Sequence, residues 1–313
     1  MGAGVSECAG MGRLNDDKMI LIELKDKRKK KMSNILKAMK LIIDMPITEI
    51  KRSYSGSNRA NSVGDALEYY VQDIFADSFG LDEEAKMLQH NKTFSLLGNQ
   101  NNPPDLILRN GDAIEIKKVE SPNNVLALNS SYPKSKLFVD SPMITQACRT
   151  CEDWSVKDII YIVGHTTDTK LKYLWLVYGD CFAADKETYE RIKNTITSGV
   201  ADIQGVEFTA TKELGKVKKV DPLGITDLRI RGMWHIENPN TLFSYFSEFD
   251  KHADFQVFCL MRRDKFNSFP AEDKACLLEM SKENYLITEQ KIKNPNNPAD
   301  LLDCIFISYK EYL

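Results

Sequence analysis

Residues 103–118 constrain this chain more than any other stretch, because they set two apolar runs, 106–108 and 113–116, on either side of Asn110-Gly111. Asn-Gly between short apolar runs is the strongest local signal for a β-hairpin. Into this hairpin the sequence places Asp105, Glu115 and Lys117, charged side chains where a buried sheet favours apolar ones. Loop length decides whether the three can meet. A two-residue loop pairs Asp105 with Ile116 and turns Glu115 and Lys117 to the opposite face. A three-residue loop, Arg109-Asn110-Gly111 with Gly111 in the left-handed region, pairs Leu108 with Asp112 instead. Asp105 then lies across from Glu115, and Lys117 follows on the same face. The second register is expected, since glycine accepts the left-handed conformation without strain.

Two carboxylates so placed form a hard oxygen-donor site suited to Mg²⁺, which keeps several of its waters. The adjacent Lys117 can position or deprotonate an attacking water and offset charge in a phosphorane-like transition state. The chemistry implied is metal-assisted hydrolysis of a phosphodiester. Pro104-Asp105, nine residues, then Glu115-Ile116-Lys117 resembles the PD-(D/E)xK nuclease motif. A three-residue match also reads as ordinary surface charge on an exposed hairpin, so the rest of the chain has to decide.

With 313 residues, 42% hydrophobic and 28% charged, the chain can bury a full core and does not have the composition of a disordered protein. No apolar run approaches a membrane span, and the first residues lack the pattern of a secretory signal. Seven scattered cysteines suit a reducing compartment, so a cytoplasmic, non-membrane protein is expected. A net charge of −3 argues against a protein that coats nucleic acid indiscriminately, while leaving room for a local basic cleft.

Residues 1–31 read as an appended, flexible extension in which 25–31 hold six basic side chains; Met32 would serve equally well as a start. Ile35, Leu36, Met39, Ile42 and Ile43 then recur at helical spacing. The polar loop 51–62 offers Arg52 and Arg59 for phosphate or base-edge contacts, or is plain surface. A helix is expected over 63–79, burying Ala66, Leu67, Tyr70, Val71, Ile74 and Phe75. Glu68 stands beside that face, as an extra carboxylate for the metal site or a solvated side chain. The connection 129–140, with Lys134 and Lys136, is a candidate for lying along DNA, and Ser141-Pro142 is expected to open a helix. Cys148 and Cys151 lack a second ligand pair for zinc and read as helix packing. Strands are expected at 158–163 and 173–178, with Asp185 capping a helix that follows.

The order of helix, three strands, helix, strand is that of an α/β core with a mixed sheet flanked by helices, and it is shared by PD-(D/E)xK nucleases. Three regions are expected: the extension 1–31, a nuclease core over 32–200, and a C-terminal recognition lobe over 201–313. In the last, Lys212, Lys216, Lys218 and Lys219 form a basic ribbon for phosphates. Arg229 and Arg231 share one face of a strand, with Leu228 and Ile230 turned to the core. Each guanidinium can pair bidentately with guanine O6 and N7; the alternative is a pair of ion-paired surface arginines.

The segments 56–70 (GSNRANSVGDALEYY), 102–122 (with NPPDLIL and AIEIKKVESP), 141–154 (SPMITQACRTCEDW) and 221–239 (DPLGITDLRIRGMWHIENP) together resemble the NgoPII type of type II restriction endonuclease from about residue 32 onward. That resemblance implies a Mg²⁺-dependent enzyme cutting both strands of a short palindrome, GGCC for the family type. It further implies a homodimer on double-stranded DNA and a companion methyltransferase that forms no stable complex with it. A structure-specific repair or junction nuclease, and a non-catalytic DNA-binding protein that kept the fold, are the alternatives.

Overall fold

A computed structural model describes residues 32–50, 63–99, 102–167 and 170–312. The extension 1–31 and the loop carrying Arg52 and Arg59 lie outside the described residues. Helix α1 (Ile35–Asp44) starts where Asn34 accepts from the backbone N–H groups of Leu36 and Lys37, and it buries the apolar stripe read from the sequence. Helix α2 (Val63–Ala76) buries Ala66, Leu67, Tyr70, Val71, Ile74 and Phe75, the expected face. It stops short of the expected residue 79, because the Asp77 backbone turns left-handed (φ 50°). Helix α3 (Glu83–Thr93) is capped by Asp82, whose side chain accepts from the Ala85 N–H.

Strands β1 (Phe94–Asn99), β2 (Asn102–Leu108) and β3 (Ala113–Val119) form an antiparallel meander; β4 (Leu126–Ala127) and β5 (Lys136–Phe138) follow. Helix α4 (Gln146–Thr150) begins at Thr145, whose hydroxyl accepts from Cys148 N–H, and not at Ser141-Pro142, which form a turn. Strands β6 (Val156–Thr167) and β7 (Lys170–Tyr178) are followed by the short helix α5 (Gly179–Phe182) and by α6 (Lys186–Ala201). Asp185 stands at the cap position of α6, but its carboxylate accepts from Ser135 Oγ (3.0 Å) and makes no cap bond.

Beyond residue 200 the chain builds β8 (Glu207–Thr209), β9 (Gly215–Lys218), β10 (Leu228–Ile230), β11 (His235–Ile236) and α7 (Pro239–Leu242). Strand β12 (Phe255–Arg262), helices α8 (Arg263–Ser268) and α9 (Ala271–Leu278), and the hairpin β13 (Tyr285–Asn294) and β14 (Asn297–Glu311) complete it. Among the described residues the main sheet runs β1-β2-β3-β6-β7-β12-β14-β13, with β5 added on β6. Pairing is parallel at β3–β6 and β7–β12 and antiparallel elsewhere along the order, so the sheet is mixed, with helices flanking it as expected.

The stretch expected to form one recognition lobe therefore divides. Residues 207–230 make a separate three-stranded antiparallel sheet, whereas β12, β13 and β14 return to the central sheet. Strand β12 is buried from Phe255 to Met261, which suits a strand covered on both faces. The core centres on Trp175 of β7, ringed by Phe243, Phe258 and Phe306.

Candidate active site

The β2–β3 register is the one that gathers the charges. Leu106 faces Ile114 and Ile107 faces Ala113, Leu108 N–H donates to the Asp112 carbonyl, and by that register Asp105 lies opposite Glu115. The turn differs in one respect: Asn110, not Gly111, holds the left-handed backbone (φ 55°). Asparagine tolerates that region best among residues with a side chain. At the other end of β2 the pairing with β1 slips, since Leu97 faces Leu106 while Asn99 faces Asn102. The bulge this leaves at Pro103-Pro104-Asp105 presses onto Gly98, where a Cβ would stand 2.4 Å from the Pro104 carbonyl oxygen. Glycine at 98 is what lets β1 lie beside the bulge that aims Asp105.

One Asp105 oxygen accepts from the Ile116 N–H at 2.6 Å. Glu115 is 8% exposed; its Oε1 receives the Lys117 ammonium at 2.6 Å, and its buried Oε2 has no hydrogen-bond partner. Burial, then the neighbouring Glu115 charge, pushes Asp105 up to about 8, against the opposing pull of Lys117. Burial lowers the pKa of Lys117, but the charges of Glu115 and Asp105 outweigh it and leave the pKa raised. A carboxylate pair in which burial and the Glu115 charge raise the Asp105 pKa, and in which one Glu115 oxygen is orphaned, is a donor set that a divalent cation would satisfy. Glu68 contributes to the electrostatics of both Asp105 and Lys117. Among the described residues no group of three His, Cys, Asp or Glu side chains is assembled for a metal, so the set centres on two carboxylates.

These residues open into a cleft of about 570 Å³ whose far wall comes from the three-stranded sheet, with Lys212, Glu213, Arg229 and Arg231. What brings that wall over the hairpin is a short ladder. Strand β11 pairs with β4, and Trp234 exchanges backbone bonds of 2.8 Å with Leu128 and Asn129. Trp234 is further held edge-on to Tyr132 and Tyr189. The arginines do share one face: Arg229 Nη2 and Arg231 Nε lie 3.1 and 3.3 Å from the same Glu213 oxygen. The expectation that Leu228 turns to the core fails, because Leu228 is 52% exposed on a strand at the edge of a small sheet.

A carboxylate pair, a lysine and a basic wall in one cleft are the parts of a nuclease, and the comparisons agree. The family described as NgoPII restriction endonuclease matches residues 33–293. The type II restriction enzyme NgoPII of Neisseria gonorrhoeae is 49% identical over 277 residues, covering 88% of this chain and 99% of that protein. This chain belongs to the NgoPII restriction endonuclease family. It is a nuclease that cleaves double-stranded DNA at specific sequences. No solved structure matches the chain.

Within that frame the site residues divide. Asp105, Glu115, Lys117, Arg229 and Arg231 line one cleft, and Lys218 is partly exposed on β9. Lys134 does not lie on an open surface for phosphate contact. It is buried, its ammonium donates to Ser131 Oγ and to the Tyr132 carbonyl at 3.2 Å, and burial pulls its pKa down to about 8. The chain bends back there because Tyr161 of β6 takes the Lys134 N–H at 2.7 Å. Sequence reasoning missed Gly98, Ser130 and Glu213. Glu213 sits among the lysines of 212–219, and an acid inside a basic run is the signal that marks it.

Proposed function

We propose that this endonuclease is a Mg²⁺-dependent, cytoplasmic enzyme that cuts both strands of GGCC as a homodimer, with Asp105 and Glu115 as metal ligands and Lys117 as the catalytic cation. The observation that carries this reading is the convergence of the carboxylate pair, Lys117 and the two arginines on one cleft. Bound to Asp105 and Glu115, the ion would lower the pKa of a water and neutralise developing phosphate charge. The raised pKa of Lys117 keeps it an ammonium at neutral pH, so it acts by orienting the water and offsetting charge on the phosphate. Glu68 completes the electrostatic frame from α2. The wall opposite supplies recognition. Two bidentate arginines match the two guanines of a GG half-site, and Lys212 and Lys218 serve phosphates without reading bases. No described helix is long and apolar enough to cross a membrane.

The test is a digest of plasmid DNA. Wild-type protein with Mg²⁺ is expected to give discrete fragments ending at GGCC, and EDTA to stop it. Asp105→Ala and Lys117→Ala are expected to lower the cleavage rate by about 10²–10³-fold or more while a GGCC duplex is still bound. Cleavage near the wild-type rate in either variant refutes the catalytic assignment. Cutting at junctions or without fixed sites points instead to a structure-specific nuclease.

A further inference from the structure

We infer that Glu213 is a specificity-determining residue: a carboxylate that gathers Arg229 and Arg231 into one preset reader and ties that reader to the cleft floor. The inference rests on the arginines being the base readers. Glu213 is the inner member of the group, its side chain 11% exposed against 55% for Arg229 and 61% for Arg231. Its Oε1 accepts from Ser130 Oγ at 2.9 Å. Its Oε2 takes both arginines, with Arg229 Nε at 3.2 Å and Nη2 at 3.1 Å and Arg231 Nε at 3.3 Å. Both oxygens are thereby occupied, while both arginine side chains stay more than half exposed and line the cleft.

Three physical consequences follow from that arrangement. Like charges two residues apart on one strand face repel, and the shared carboxylate between them removes the repulsion. Arginine side chains lose much rotamer freedom on binding, and a fork already held by an acid loses less when it meets a base edge. An arginine released from the acid, by contrast, can reach any phosphate, which adds affinity without reading sequence. The carboxylate therefore works against tight binding in general and in favour of discrimination. The Ser130 tether adds a link to cleavage, because Ser130 and Ser131 line the same cleft as Asp105 and Glu115.

Glu213→Gln keeps the size and the hydrogen-bond acceptor and removes the charge. Two quantities decide: affinity for a random duplex in EDTA across a salt series, and the ratio of single-turnover cleavage rates on GGCC and on a site with one base pair changed. The variant is expected to bind random DNA more tightly, with a steeper salt dependence, and to lose about tenfold or more of the rate ratio, the low end of what one bidentate contact contributes. Ser130→Ala, which cuts only the tether, is expected to shift the ratio the same way by a smaller factor, and it stands in if the first variant does not fold. An unchanged ratio, or equal loss at both sites with a lowered melting temperature, overturns the inference. Arg229→Ala and Arg231→Ala separate the two levels. If they leave the ratio intact, the arginines are not readers; if they collapse it and Glu213→Gln does not, only the role of Glu213 fails.

Discussion

At the scale of single residues, the site depends on one position that carries no functional group. Gly98 allows β1 to lie against the bulge of β2, and that bulge sets the direction of Asp105. Gly98→Ala must push the Pro104-Asp105 backbone away by a fraction of an ångström. Because the atoms that must move are backbone, the cleavage rate is expected to fall by about tenfold to a hundredfold and the melting temperature to drop with it. A rate within twofold of wild type, roughly, would show that the bulge accommodates the methyl. The meeting of Asp105, Glu115 and Lys117 was legible in the sequence, because the hairpin register follows from turn chemistry and strand period, both of which are local. Lys134 was not legible. Its burial depends on Tyr161, a partner far along the chain, and nothing in the polar run 129–140 announces it.

At the scale of elements, the end of the sheet away from the cleft is fastened by an ion network. Lys265 of α8 bonds Asp112 at 2.7 Å and Asp158 of β6 at 2.6 Å, Lys136 of β5 bonds Asp158 at 2.5 Å, and Tyr178 of β7 donates to Asp112 at 2.6 Å. Burial raises the pKa of Asp158, but the ammonium of Lys265 and the bond from Lys136 outweigh it, so the carboxyl stays below its ordinary value of 3.8. A depressed acid contributes stability that is present above its unfolded pKa and lost as pH falls through its folded one. Asp158→Asn is therefore expected to cost about 2–4 kcal/mol at neutral pH, with the gap to wild type narrowing as pH falls below the ordinary carboxylate value. Denaturant melts at pH 7 and pH 3 check this; a gap independent of pH would assign the loss to packing. Elements with long apolar runs were legible: the strands expected at 158–163 and 173–178 fall within β6 and β7. Helix starts were less so. Ser141-Pro142 has cap chemistry, yet Thr145 makes the bond, and Asp185 holds the cap position while bonding Ser135.

At the scale of the whole molecule, each chain contributes one carboxylate pair, and a palindrome presents two equivalent scissile bonds. A two-fold homodimer on DNA is expected, and sedimentation of the protein with a GGCC duplex measures it. One chain per duplex cutting both strands together would refute it. The mixed sheet and its helices were expected from element order, but the return of the C-terminal strands to the centre was not, since strand order depends on contacts between distant segments. That return has a consequence for how the enzyme comes into being. Strand β12 fills the place between β7 and β14, so a ribosome that has finished β7 has made a sheet with an open, apolar edge. Every residue of the carboxylate pair and of the arginine wall precedes β12 in the chain, and so is made before the strand that covers this edge. Fragments ending between Arg231 and β12 hold these groups on an unfinished scaffold whose open apolar edge favours aggregation. For a cell whose chromosome is itself a substrate, a nuclease assembled only by its last strands is inactive through most of its synthesis.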